Sequence, residues 1–371
     1  MANYRLKLST LSPVHIGAGQ ELRMGFDFML YEKLTWRLNE DAILAAKEKQ
    51  LQVVRDGRYP LPGQMLNEAD FDNPRFFRYV LRGTPRSSKT DARLQACIKD
   101  PFDRPFIPGS SLKGALRTAL AWTGWDEVKP RLDRSALNNS RQWAGQNLEH
   151  NLFGPNPNKD LLRALQVSDS FTEARPDDCL IVVNAQVVTP RASGSPIELE
   201  AIRPNQVFTG SLRVDDTLFS EAANRVLGFN NRKRWLEELL PRAQKHSLAR
   251  IAELQEWFTH VDLEGADKIA AFYRQLQNAN LGANQALVQV GWGSGWDGKT
   301  FWTHLKRDEG FFEAIVSQYR LNRAGNSRRQ RGDAFPKSRR TAMSTKTDAQ
   351  GRQVSRLSAP FGWMIIELEE D

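Results

Sequence analysis

Residues 108–120 read Pro-Gly-Ser-Ser-Leu-Lys-Gly-Ala-Leu-Arg-Thr-Ala-Leu, and this stretch restricts the fold more tightly than any other. Pro108 and Gly109 stop whatever precedes them, and Ser110 and Ser111 offer capping hydroxyls. Leu112, Ala115, Leu116, Ala119 and Leu120 then recur at helical spacing. The pattern predicts a helix over Ser110–Trp122 with one apolar stripe, which must be buried against another element.

Period-two segments supply that element. Tyr4-Arg5-Leu6-Lys7-Leu8 alternates apolar with basic residues and continues towards Pro13-Val14-His15-Ile16, predicting an opening strand. Gly17-Ala18-Gly19 reads as a loop in which small residues let the backbone approach a ligand. Residues 20–108 read as a mixed, partly mobile insertion, with a helix near Glu40–Gln50 and an Arg-rich, Pro-punctuated loop at Arg82–Lys89. Further strands are expected at 165–168, 180–188, 207–214, 286–290 and 363–368, and helices at 234–240, 248–260, 268–276 and 310–319. Interspersed strands and helices predict an α+β fold with no fixed-period repeat.

The +8 net charge of the 371 residues is unevenly placed. Residues 320–360 carry eleven basic and two acidic side chains, and residues 73–117 carry ten and three, leaving the remainder net acidic. Positive charge confined to two segments suits a polyanion, so RNA or DNA is the leading partner class. With 40% hydrophobic and 26% charged residues the chain reads as globular, and no apolar run is long enough to span a membrane. The first residues lack an apolar signal core, so a cytoplasmic location is expected. Cys97 and Cys179 form no CxxC pair and are expected to be buried thiols, with neither disulfide nor cysteine-bound metal.

Three constellations could hold a phosphate backbone. The start of the 110–122 helix, with Gly109, Ser110 and Ser111, presents free amides and the positive end of the dipole. Lys113 and Arg117 lie one turn apart beside it, and Gly114 suits close approach. The run Gly291-Trp292-Gly293-Ser294-Gly295-Trp296-Asp297-Gly298-Lys299-Thr300 follows an apolar strand. From Gly293 it satisfies GxxxxGK[ST], which makes a P-loop nucleotide-binding protein one alternative. Phe301-Trp302-Thr303-His304 is a weak helix start for a P-loop. The same atoms serve an RNA binder, with Gly293 and Gly295 amides on phosphates, Trp292 or Trp296 stacking a base, and Lys299 adding charge. The third is Arg328, Arg329, Arg331, Lys337, Arg339 and Arg340, around Phe335 and Pro336, read as an extended phosphate-tracking loop. His15, before Gly17 and Gly19, is a further candidate for stacking on a base. The five histidines show no metal-ligand spacing, so no metal or cofactor is expected. Asp27 reads as a turn residue.

The segments Leu11-Ser12-Pro13-Val14-His15-Ile16-Gly17-Ala18-Gly19 and Phe106–Leu120, in this order, resemble the RAMP superfamily of CRISPR RNA-binding proteins. With the late Gly-rich loop, Phe335-Pro336-Lys337 and Pro360-Phe361-Gly362-Trp363, the whole chain is similar to the family of fifth Csm subunits of type III-A effector complexes. The resemblance implies two ferredoxin-like (RRM-like) units: an N-terminal one over 1–200 with the insertion at about 20–108, and a C-terminal one over 201–371 carrying the Gly-rich and Arg-rich loops. It implies an antiviral ribonucleoprotein complex in which the chain binds CRISPR RNA, caps a filament of other Csm/RAMP subunits at the 3′ part of the guide, near the target RNA, and supports 3′-end maturation by recruited host nucleases. It implies no catalytic site of its own. The alternative is a RAMP endoribonuclease cleaving target RNA, for which Asp27 lies in a comparable region.

Overall fold

The computed structural model describes residues 2–51, 59–89, 91–321, 335–347 and 353–370. Its first sheet grows from the opening strand. Along Ala2–Thr10, Leu6 and Leu8 are buried while Arg5 and Lys7 turn outward, as the alternation predicts. Val207–Val214 pairs antiparallel on one side, with Tyr4 opposite Leu212, and Trp363–Glu370 on the other, with Leu6 opposite Leu368. Gln285–Gln289 adds to Trp363–Glu370, while Leu165–Val167 and Ser170–Phe171 add to Val207–Val214. The sheet thus draws strands from both sides of residue 200.

The expected helix is found over Gly109–Val128, burying Leu112, Leu116, Ala119 and Leu120. It packs on a second long helix, Leu239–Thr259, which also lies on Gln285–Gln289. The region expected as two helices, 234–240 and 248–260, folds as a short helix, Lys233–Glu237, followed at once by this long one. Pro241 falls in its first turn, where a missing amide costs no helical bond, so the chain need not break there.

The second sheet runs in the order Gly17–Arg23, Arg93–Cys97, Ala192–Ile202, Leu180–Thr189, Phe77–Arg82, Leu34–Leu38, Phe28–Tyr31. Arg339–Thr347 also pairs with Leu180–Thr189, and Gln353–Ala359 with Arg339–Thr347. Five of its strands come from residues 17–97, a region read largely as loop. Gly17-Ala18-Gly19, expected as a loop, instead begins an edge strand. A register break between Gly17 and Glu21 and a φ of 74° at Gly19 absorb the glycines there. Mixed helices and sheets place the chain in the α+β class, as expected.

The sheets meet where Val14 bridges Ile202. Beneath this junction the carboxylate of Glu200, fully buried, accepts from the Tyr79 hydroxyl (2.7 Å) and the Cys97 amide (2.9 Å) and pairs with Lys99. Cys97 and Cys179 are free, buried thiols, and burial pushes both pKa values up, to about 11 and about 12. Among the described residues no helix is long and apolar enough to cross a membrane, and no cluster of His, Cys, Asp or Glu could hold a metal ion.

Candidate nucleic-acid interface

The first turn of the Gly109–Val128 helix fills its own anion position. The Gly109 amide donates to the Asp169 carboxylate at 2.8 Å, so this end of the helix is already met by a negative charge. Gly109 is required by packing: a Cβ would lie 2.2 Å from the Val167 carbonyl oxygen. Ser110 remains exposed, and Ser111 is half-buried. Lys113 is half-buried with its Nζ donating to the Leu165 carbonyl (2.7 Å), and burial lowers its pKa.

Arg117, expected as an open phosphate contact, is engaged internally. It bonds Glu149 (2.9 Å) and Asp160 (2.8 Å), and its guanidinium lies 4.1 Å from the Phe153 ring centroid. It ties the Gln146–Phe153 helix and the 154–163 loop to the long helix. Between these elements opens a cleft of about 620 Å³, whose lining includes Ser110, Lys113, Gly114, Arg117, Trp143 and Arg163. Gly114 faces open space, where a Cβ would meet no atom within 4 Å, and Trp143 is 49% exposed. Trp143, His150 and Arg163 went unread in the sequence. A tryptophan set among Arg141, His150 and Arg163 in a stretch without apolar periodicity was the available signal.

The glycine-rich run is shaped by packing rather than by a phosphate cradle. Gly291 (φ 80°) sits where a Cβ would be 2.5 Å from the His15 carbonyl oxygen, and Gly293 (φ 93°) where one would be 2.6 Å from the Phe361 Cβ. The helix that follows, Trp302–Lys306, has five residues, so the GxxxxGK[ST] match lacks the long helix of a P-loop. Asp297 is buried between Arg250 (2.9 Å) and Arg339 (3.0 Å). Arg339, expected on an open loop, therefore has its charge inside, with its guanidinium 5.2 Å from the Trp257 ring centroid. Trp296 is half-buried, edge-on to Trp302 (5.1 Å) and Phe335 (5.3 Å). Lys299, Lys337 and Arg340 are exposed, and Arg340 lies 5.0 Å from the Trp292 ring centroid.

His15, proposed to stack on a base, is turned inward. It is 3% exposed, with Nδ1 2.6 Å from the Glu200 carbonyl oxygen and its ring edge-on to Trp292; burial lowers its pKa. Gly17 and Gly19 beside it are exposed. Asp27 accepts from the Arg23 amide (2.7 Å) and pairs with Arg37 (3.7 Å), fitting its reading as a turn residue. Arg328, Arg329 and Arg331 lie outside the described residues.

The structure thus gathers Ser110, Lys113 and Arg117 on one cleft. It places Trp296 and Lys299 on a second cavity of about 280 Å³. Gln142, Gly145 and Glu149 border both.

Comparison with known proteins gives the chain its family. It is 26% identical over 275 residues, 65% of this chain and 68% of the relative, to the CRISPR system Cms protein Csm5 of Streptococcus thermophilus. Its fold matches a chain in the cryo-EM structure of a Csm–crRNA–target RNA ternary complex of a type III-A CRISPR-Cas system, with a TM-score of 0.71 and 22% identity over 99% of this chain and 100% of that one. The crystal structure of T. onnurineus Csm5 is similar at a TM-score of 0.63, 22% identity, and 97% and 99% coverage. Residues 7–296 match the RAMP superfamily, a span that takes in the end of the opening strand, the 109–128 helix and most of the glycine-rich run; the chain belongs to that superfamily.

Proposed function

We propose that this chain is a structural, CRISPR RNA-binding subunit of a type III-A (Csm) effector complex. The observation that carries this reading is the cleft beside the 109–128 helix, where Lys113, Arg163 and the exposed Trp143 line a groove of about 620 Å³. Cations over a backbone track and an aromatic face for a base are what single-stranded RNA binding needs. The likeness to Csm5 proteins, and to a chain solved in a complex with crRNA and target RNA, supports the same reading.

In this reading the chain caps a filament of Csm subunits at the 3′ part of the guide, near the target RNA, and supports 3′-end maturation in the cytoplasm. The strands Ala2–Thr10, Leu165–Val167, Val207–Val214 and Trp363–Glu370 lie in the spatial order fourth, first, third, second. The two long helices come after the first and third of them. That order supports a first ferredoxin-like unit in this sheet, and the resemblance to RAMP proteins supports a second. Each half, 1–200 and 201–371, contributes to the first. Lys113, Ser110, Trp143, Arg163, Lys299, Lys337 and Arg340 are the contacts, and phosphates dominate, so recognition follows shape and strand end rather than base sequence.

The test is to tag the protein in its host, purify it in moderate salt, and map the ends of retained RNA. Repeat-derived guides arriving with other Csm subunits are expected. In binding assays Lys113→Ala, Arg163→Ala and Arg340→Ala should each flatten the slope of log affinity against log salt by about 0.7 for every single-strand phosphate no longer neutralised. Unchanged slopes in all three would refute the assignment.

A further inference from the structure

The lining of the smaller cavity includes Leu148, Trp296, Phe301, Leu305, Ile315 and Tyr319. At about 280 Å³ it falls just below the range of roughly 300–1,000 Å³ typical of small-ligand pockets, room for one planar ring system and little more. Two cations, Lys299 and Arg141, stand exposed on its lining, and among the described residues neither pairs with a carboxylate. Glu149, which also borders it, is neutralised by Arg117 at 2.9 Å. Thr300 is on the lining, and its hydroxyl is buried with no hydrogen-bond partner among the described residues. A buried, unpaired polar atom is costly unless something arrives to meet it.

We propose that this pocket takes a single unstacked nucleotide, its base among the aromatic side chains with a polar edge on Thr300, its phosphate on Lys299 and Arg141. The inference rests on the RNA-binding reading above and deepens it. The pocket shares Gln142, Gly145 and Glu149 with the larger cleft, so a strand lying in that cleft passes the 141–149 ridge with one base turned in. Desolvation and the nearby Arg340 both disfavour the Lys299 ammonium, and the negative charge of an incoming phosphate favours it again. The same chemistry is offered by a residue of an RNA strand or by a free mononucleotide, and the experiment separates them.

The full-length protein is photo-cross-linked to short single-stranded RNAs that carry one 4-thiouridine at successive positions, and titrated separately with AMP and UMP. Two variants accompany it. Thr300→Val removes the hydroxyl and keeps the shape, while Ala144→Phe fills the pocket from the 141–149 side. The expected result is a cross-link from one RNA position to peptides around 296–301 or 315–321. Ala144→Phe should lose it and bind RNA about ten-fold more weakly, the worth of one stacked base, while Thr300→Val, which removes one hydrogen bond, should weaken cross-link and binding by about two- to ten-fold, with the salt slope unchanged in both. Because Thr300 Oγ1 is unpartnered, the Thr300→Val protein should melt no lower than wild type, so its weaker binding is not a folding defect. Wild-type affinity and cross-links in Thr300→Val overturn the pocket while leaving RNA binding by the cleft intact. If mononucleotides bind and Ala144→Phe abolishes that binding while RNA does not bind at all, the pocket stands with a free nucleotide and the RNA reading falls.

Discussion

Replacing Asp297 with alanine probes the tie between the glycine-rich run, the Leu239–Thr259 helix and the Arg339–Thr347 strand. The carboxylate side chain is 1% exposed, and those of its partners Arg250 and Arg339 are 6% and 12% exposed. Removing it strands two guanidiniums away from water. Breaking a buried pair in this way costs about 3–5 kcal/mol. Arg250 keeps Glu253 at 3.2 Å, and Arg339 keeps the Pro336 and Ser338 carbonyls, which favours the lower figure. An unfolding entropy of about 2.1 cal/mol/K per residue over 371 residues makes each kcal/mol worth roughly 1.3 °C, so Tm should fall by about 4 °C. A thermal melt followed by far-UV circular dichroism reads this directly. Adding Arg339→Met to Asp297→Ala should restore part of the loss, because one stranded charge goes with it. Burial alone would raise the Asp297 pKa, but Arg250 and Arg339 outweigh it and hold the carboxyl below its ordinary value of 3.8. Its contribution is therefore present above about pH 4 and lost as pH falls through the depressed folded value, and the variant should lack that acid limb. A Tm within about 1 °C of wild type, or a double variant less stable than the single, would refute the reasoning.

The other predictions concern other residues. Glu200→Ala should destabilise by about 3–5 kcal/mol in urea denaturation, since Lys99, Tyr79 and the Cys97 amide lose one shared acceptor. Burial, with Arg250 and His304 nearby, pushes the His246 pKa down to about 3. Its contribution is full above about pH 6.5 and is lost as pH falls towards 3; His246→Leu should flatten that limb of a stability–pH profile. Gly114→Ala should raise stability by about 0.5–1 kcal/mol, because the new methyl meets nothing within 4 Å in a helix interior. If the RNA backbone lies against Gly114, the same variant weakens RNA binding.

Elements whose signal is local were legible. The 109–128 helix carries its apolar stripe and its Pro-Gly stop in consecutive residues, and Val207–Val214 is legible to its ends. The short strands of residues 17–97 were not, because each has few residues and becomes a strand through pairing with distant ones. Leu34–Leu38 has Phe77–Arg82 beside it, and Arg93–Cys97 meets both Gly17–Arg23 and Ala192–Ile202. Arg339–Thr347 was hidden for a further reason: its basic composition reads as solvated, yet it pairs along Leu180–Thr189.

The amino-acid order by itself determined the α+β class, the chief helix and the superfamily, and set the expectation of a polyanionic partner, since each rests on periodicity, motif or charge along the chain. Only the tertiary structure decided which cations are available to that partner. Arg117 and Arg339 look like Lys299 and Arg340 on paper, but carboxylates from remote segments, Glu149 and Asp160 for one and Asp297 for the other, neutralise them inside. His15 likewise is claimed by a carbonyl 185 residues away. Desolvation and pairing depend on what folds against a side chain, and that neighbourhood is a property of three dimensions.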